Sequence, residues 1–368
     1  MSDASDSPTP YRLIGPSEDG QAVDLLADKT DSKARQRLQA LISEWLRMEN
    51  LVVLTAAGCS VSPDLGGKTM DSLQDAVLNT VTSLPDIPAQ IKTIVDGRLT
   101  SIMLSDTISG FEDWLSYVVN AHHLANEPSS PIDGLRWKLG ATPTATDLAW
   151  LIDRVGKAIF AECALSLPPT FNADTSQATV PPHLAFLAKL IARDSNLGRA
   201  HVFTLNYDTL FEQALEVLGI QYFDGFSGRA EARFDPSVYG LDIYYPGEIA
   251  EGRVRRFDKF LHFYKLHGSI HWHISNGELR ARHPALAPFA AYRVLDEAQK
   301  AAQLEGVTAQ LPAIGILPTA NKFAQTLTMP FAHLFRSFQI RLSAPQTFLL
   351  VLGYPSLRSQ SKSSSLPA

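Results

Sequence analysis

The chain has 368 residues, of which 45% are hydrophobic and 19% charged, and carries a formal net charge of −6. This excludes a disordered chain, which would hold more charge and less apolar surface, and it removes the general attraction to phosphate backbones on which nucleic-acid binders rely. Two cysteines, Cys59 and Cys163, can build neither a disulfide framework nor a four-thiolate zinc ribbon. The first ten residues are polar, with no basic region leading into an apolar run, and no apolar stretch reaches the length of a membrane span. A cytoplasmic protein with no membrane or nucleic-acid partner is expected.

Residues 1–31 form a polar lead. Ser32 to Asn50 then reads as an amphipathic helix, with Leu38, Leu41, Ile42, Trp45 and Leu46 at helical spacing. Leu51 to Leu54 is a short, wholly apolar run that suits a buried strand, and Thr55-Ala56-Ala57-Gly58-Cys59-Ser60 follows as a tight turn of small residues. From about 69 to 164 the pattern is helical, around Phe111-Glu-Asp-Trp-Leu115, Leu148-Ala-Trp-Leu151 and Ile159-Phe160, with a loop at Asn126 to Asp133. Beyond Pro182 strand and helix signals alternate. Leu184 to Ile191 is a helix, Ala200 to Leu205 a strand, Thr209 to Leu218 a helix ended by Gly219, and Ile220 to Phe223 a strand. Phe260 to Leu266, Ala313 to Leu317 and Thr347 to Leu352 are further strands, and 355–368 is a Ser-rich tail. The expected fold class is α/β: a Rossmann-like parallel sheet with helices on both faces and an inserted helical lobe, in one domain over residues 32–354.

Ligands of open α/β sheets bind where loops leave the carboxyl ends of the strands. Three segments qualify. In the first, Gly58 allows close backbone approach in the turn after Leu51 to Thr55. In the second, Asn206 and Asp208 flank Tyr207 directly after a strand; their plainer reading is capping of the following helix. In the third, Phe260 to Leu266 ends at His267-Gly-Ser269, where a structural histidine is the plainer reading. His271-Trp-His273 places two imidazoles on one face of a strand, but no carboxylate or cysteine pair stands at ligand spacing, so no metal site is expected. Cys59 has no base near it in sequence and reads as a packed thiol.

Together the segments resemble the sirtuin superfamily, and within it the prokaryotic NAD-hydrolase branch of antiviral defence. Thr204-Leu-Asn206-Tyr-Asp208 and Lys265-Leu-His267-Gly-Ser269 carry the resemblance, with Phe111-Glu-Asp-Trp-Leu115 and Leu317-Pro-Thr-Ala-Asn-Lys322 as further stretches. The resemblance implies NAD⁺ as substrate, without a metal, cleaved to nicotinamide and ADP-ribose. Asn206 would face the nicotinamide ribose and His267 would be the base. Ala57, Gly58, Ser60, Thr204, Asp208 and Gly353 would line the cofactor site, with Gly58 and Ser60 at the phosphates and Asp208 near the carboxamide. Ala56-Ala57-Gly58 departs from the family's Gly-Ala-Gly by a methyl, and Pro355 follows Leu350-Val-Leu-Gly353-Tyr354, the expected final strand and adenosine-binding turn. The resemblance further implies a homo-oligomer and gating by a partner such as a HerA-type ATPase. Protein deacylation or ADP-ribosyl transfer on the same loops, and a non-catalytic NAD or ADP-ribose sensor, remain as alternatives.

Overall fold

Runs of apolar residues that are buried on both sides make parallel strands, and three such runs build the centre of this molecule. The computed structural model describes residues 14–16, 22–24, 32–62, 64–99, 110–126, 142–172, 177–178, 180–194, 196–228, 231–245, 256–309, 317 and 329–353. Two short strands, β1 (Ile14–Pro16) and β2 (Ala22–Asp24), pair antiparallel ahead of α1 (Ser32–Trp45) and β3 (Asn50–Thr55). Helices α2 (Met70–Thr82), α3 (Ala89–Leu99), α4 (Phe111–Asn126) and α5 (Ala145–Cys163) follow. Next come the two-residue pair β4 (Phe171–Asn172) and β5 (Gln177–Ala178), then α6 (Pro182–Ile191), β6 (His201–Thr204) and α7 (Leu210–Val217). Strands β7 (Gln221–Phe223), β8 (Phe226–Ser227), β9 (Ala232–Phe234), β10 (Phe260–Lys265), β11 (Trp272–Ser275) and β12 (Glu278–Ala281) precede α8 (Ala287–Arg293) and α9 (Glu297–Thr308). Helix α10 (Phe331–Leu342) and strand β13 (Thr347–Leu352) complete the described chain.

The main sheet has five parallel strands in the order β13-β3-β6-β10-β7. Alternate residues of each strand face opposite layers, so Leu51 and Val53 of β3 pack with α6 and α7, while Val52 and Leu54 pack with α10. This is the expected α/β class. Helix α1 is shorter than Ser32 to Asn50: it stops at Trp45, because Asn50 already belongs to β3. The Arg193 guanidinium satisfies the carbonyls past its end, donating to Leu46 O at 2.8 Å and Met48 O at 2.7 Å. Of the expected strand Ala313 to Leu317, all but Leu317 lies outside the described residues, as does the loop after Asn126.

Helices α2 to α5 share a separate core that includes Leu78, Ile94, Trp114, Leu151 and Phe160. That core also takes Phe289 and Tyr292 from α8 and Ala301 and Leu304 from α9, more than a hundred residues downstream. A second sheet, of antiparallel strands in the order β11-β12-β9-β8, packs through Trp272, Ala281 and Phe226 beside the carboxyl end of β10. Among the described residues no helix is long and apolar enough to cross a membrane.

Candidate active site

The sheet register brings the three sequence segments to one edge. Thr204 lies beside both Thr55 and Lys265, and Leu352 lies beside Thr55. Ala57, Asn206 and His267 are each two residues past those aligned positions, and Gly353 is one residue past its own. Adjacent strands stand about 4.8 Å apart, so these residues leave neighbouring strands at the same level. Ladder bonds carry the alignment into the loops: Leu205 N–H donates to Thr55 O and Leu266 N–H to Thr204 O, each at 2.9 Å.

Asn206, Ser60 and Asp208 form a buried polar network. The Asn206 amide donates through Nδ2 to Ser60 Oγ at 2.9 Å and to Ala56 O at 3.2 Å, and Ser60 Oγ donates to Asp208 Oδ2 at 2.6 Å. Thr204 Oγ1 accepts the Asn206 N–H at 3.1 Å. Capping falls to Asp208, whose Oδ1 accepts the Leu210 N–H at 3.1 Å. Asn206 caps nothing. It is 7% exposed, both its nitrogens are held, and its Oδ1 accepts no hydrogen bond from any described residue.

The turn at Ala57 to Cys59 is a single 3₁₀ turn, with Ala57 and Gly58 exposed and Ala56 buried. Its backbone donors are largely committed: Gly58 N–H to Gly353 O at 2.8 Å, Cys59 N–H to Ala56 O and Ser60 N–H to Ala57 O, each at 2.9 Å. The bare Cα of Gly58 therefore serves first the approach of Gly353, since a Cβ there would stand 2.6 Å from Gly353 O. Gly353 itself has φ +66 and abuts Cys59 N and Ala56 O, so the ends of β3 and β13 interlock backbone to backbone. Cys59 is half-buried, and burial pushes its thiol up, the Asp208 carboxylate adding to the effect. A thiol so placed is a weak nucleophile.

His267 is half-buried at the end of β10, its ring centroid 6.4 Å from that of Phe335 on α10. Two residues before it, Lys265 is only 2% exposed; its ammonium donates to the Asp208 backbone carbonyl and to Glu212 Oε1 at 2.8 Å. Burial raises the Glu212 carboxyl pKa, and Lys265 opposes the rise. Tyr207 has its phenol raised by burial, with the charge of Glu112 on α4 contributing. Sequence reasoning assigned no role to Lys265, Glu212 or Glu112; Lys265 and Glu112 stood inside quoted motifs, while Glu212 carries no local signal.

His271 precedes β11. Its Nδ1 and Ser269 Oγ share a hydrogen bond of 2.7 Å, and its ring stacks on His283 with centroids 4.3 Å apart. Among the described residues no group of three or more His, Cys, Asp or Glu is arranged to hold a metal ion.

A family model described as a SIR2-like domain matches residues 200–301. The match spans β6 to the start of α9 and contains both the Asn206 and the His267 motifs, while Ala57, Gly58, Ser60 and Gly353 lie outside it. No curated protein matches the chain. SIR2-like domains bind NAD⁺, so the match supports kinship with the sirtuin superfamily and an NAD-related enzymatic function.

Proposed function

We propose that the protein is an NAD⁺ glycohydrolase that cleaves NAD⁺ to nicotinamide and ADP-ribose. The observation that carries this reading is Asn206: a buried amide fixed through both nitrogens, relieved of helix capping by Asp208, and left with a carbonyl oxygen directed to no described partner. As the bond between ribose C1′ and the nicotinamide nitrogen breaks, its electron pair leaves with nicotinamide and positive charge develops on the ribose. A fixed amide oxygen stabilises that charge without reorganising. Water then bonds to C1′, and its proton passes to His267 and on to solvent. Ser60 holds Asn206 and Asp208 in register. The defence setting, and gating by a HerA-type ATPase or by homo-oligomer formation, belong to the same proposal and rest on the resemblance of the motifs.

The test pairs Asn206→Ala with His267→Ala and reads melting temperature and nicotinamide release on the same samples, with and without the candidate partner. Each variant is expected to fold and to lose on the order of a hundredfold or more in turnover. A variant that keeps most of its activity per folded molecule overturns the shared site. O-acetyl-ADP-ribose formed from an acetylated peptide would establish deacylation instead, and tight NAD⁺ binding without nicotinamide release would establish a sensor.

A further inference from the structure

Strand β10 is buried along its whole length, and Phe260, Leu261, Phe263 and Tyr264 supply the apolar side chains such a strand favours. Lys265 ends that run with an ammonium that is as inaccessible as its neighbours. Burying an ion pair is costly, and well-packed apolar residues of similar volume commonly serve stability as well or better. The charge is therefore informative through what it holds. Its partner Glu212, on α7, is also 2% exposed, and the two groups meet at 2.8 Å. Its other hydrogen bond goes to the backbone carbonyl of Asp208.

Asp208 is the knot of the opposite loop: Oδ2 takes Ser60 Oγ, Oδ1 takes the Leu210 N–H, and its carbonyl takes Lys265. Two residues before Asp208 stands Asn206, and two residues after Lys265 stands His267. We infer that Lys265 is a positioning residue that locks the Asn206–Asp208 loop to the His267 loop, with Glu212 as the fixed counter-charge that aims its ammonium. The activity readout of this inference rests on the hydrolase reading above; its structural readout does not.

Lys265→Met alone leaves Glu212 buried without its counter-charge, so a lower melting temperature is expected and decides little. The informative variant is Lys265→Met/Glu212→Met, which exchanges the pair for apolar side chains of similar length and is expected to recover the melting temperature. If Lys265 positions the loop, this variant still exchanges the Leu210 amide roughly tenfold faster or more than wild type. Its kcat for nicotinamide release falls by about tenfold or more while KM moves by less than about threefold, as misplacement of reacting groups produces. A double variant with wild-type Leu210 exchange or wild-type kcat overturns the inference and leaves the pair a feature of stability alone. If the wild-type protein releases no nicotinamide, the hydrolase reading falls, and Leu210 exchange still decides whether Lys265 holds the loop.

Discussion

Gly58→Ala probes the joint between the ends of β3 and β13. A Cβ at residue 58 would lie 2.6 Å from Gly353 O, 2.9 Å from Gly353 Cα and 3.0 Å from Gly353 C, all backbone atoms that cannot swing aside. Restoring ordinary contact requires a retreat of about 0.8 Å, which stretches the Gly58 N–H to Gly353 O bond. Overpacking of this kind costs about 1–3 kcal/mol, and the weakened hydrogen bond adds about 1 kcal/mol. The expected loss is thus about 2–4 kcal/mol, read as a lower urea midpoint at unchanged slope. Because Ser60 follows on the same turn and holds Asn206, a shift approaching 1 Å should also lower nicotinamide release by on the order of a hundredfold. Ala57→Ser, one residue earlier and exposed, is the control and should stay within about 0.5 kcal/mol of wild type. Wild-type stability and turnover in Gly58→Ala would mean that the two strand ends do not interlock as described.

Acid should weaken the fold through the sheet histidines. Burial holds His262 down to about 4, and His201, stacked on it at 4.8 Å, is also held low by burial. Folded values below the ordinary 6.5 mean that the unfolded chain binds more protons, so stability present at neutral pH is lost as pH falls from 6.5 towards 4. For His262 the loss reaches about 3 kcal/mol; urea midpoints across that window should show it, and His262→Gln should flatten the slope. An unchanged slope in that variant would place the acid sensitivity elsewhere. Cys59→Ala should retain nicotinamide release to within about threefold, since burial disfavours the thiolate; a hundredfold loss would make the thiol a participant.

The elements read directly from sequence were those whose surroundings are uniform. Strands β3, β6 and β10 are buried on both faces and appear as unbroken apolar runs. Helix α5 was marked by its apolar spacing alone, and its capping box at Thr144 and Asp147 went unread. The hairpin of β11 and β12 was legible but passed over: Asn276-Gly277 sits between them with φ of 52 and 77, the pattern a two-residue turn demands. The apolar side chains of α8 and α9 gave no hint that they complete the core of α2 to α5, because their partners lie more than a hundred residues away. The candidate site divides in the same way. The motifs marked Asn206 and His267, yet they did not show that the Asn206 amide is held by Ser60, 146 residues earlier, or that Asp208 takes the Leu210 N–H. Gly58 was expected to admit a pyrophosphate; its immediate neighbour is Gly353, a contact that only the β13–β3 pairing creates.

In the proposed reaction, water attacks the nicotinamide-bearing ribose carbon in a site made by Asn206 and His267. Its most direct test is mass analysis of NAD⁺ incubated with the protein and its candidate partner in heavy-oxygen water. The expected products are nicotinamide and ADP-ribose in equal amounts, the ADP-ribose carrying a single heavy oxygen from solvent, with neither product from Asn206→Ala. NAD⁺ recovered intact from the wild-type reaction, or ADP-ribose attached to protein without solvent oxygen, would contradict it.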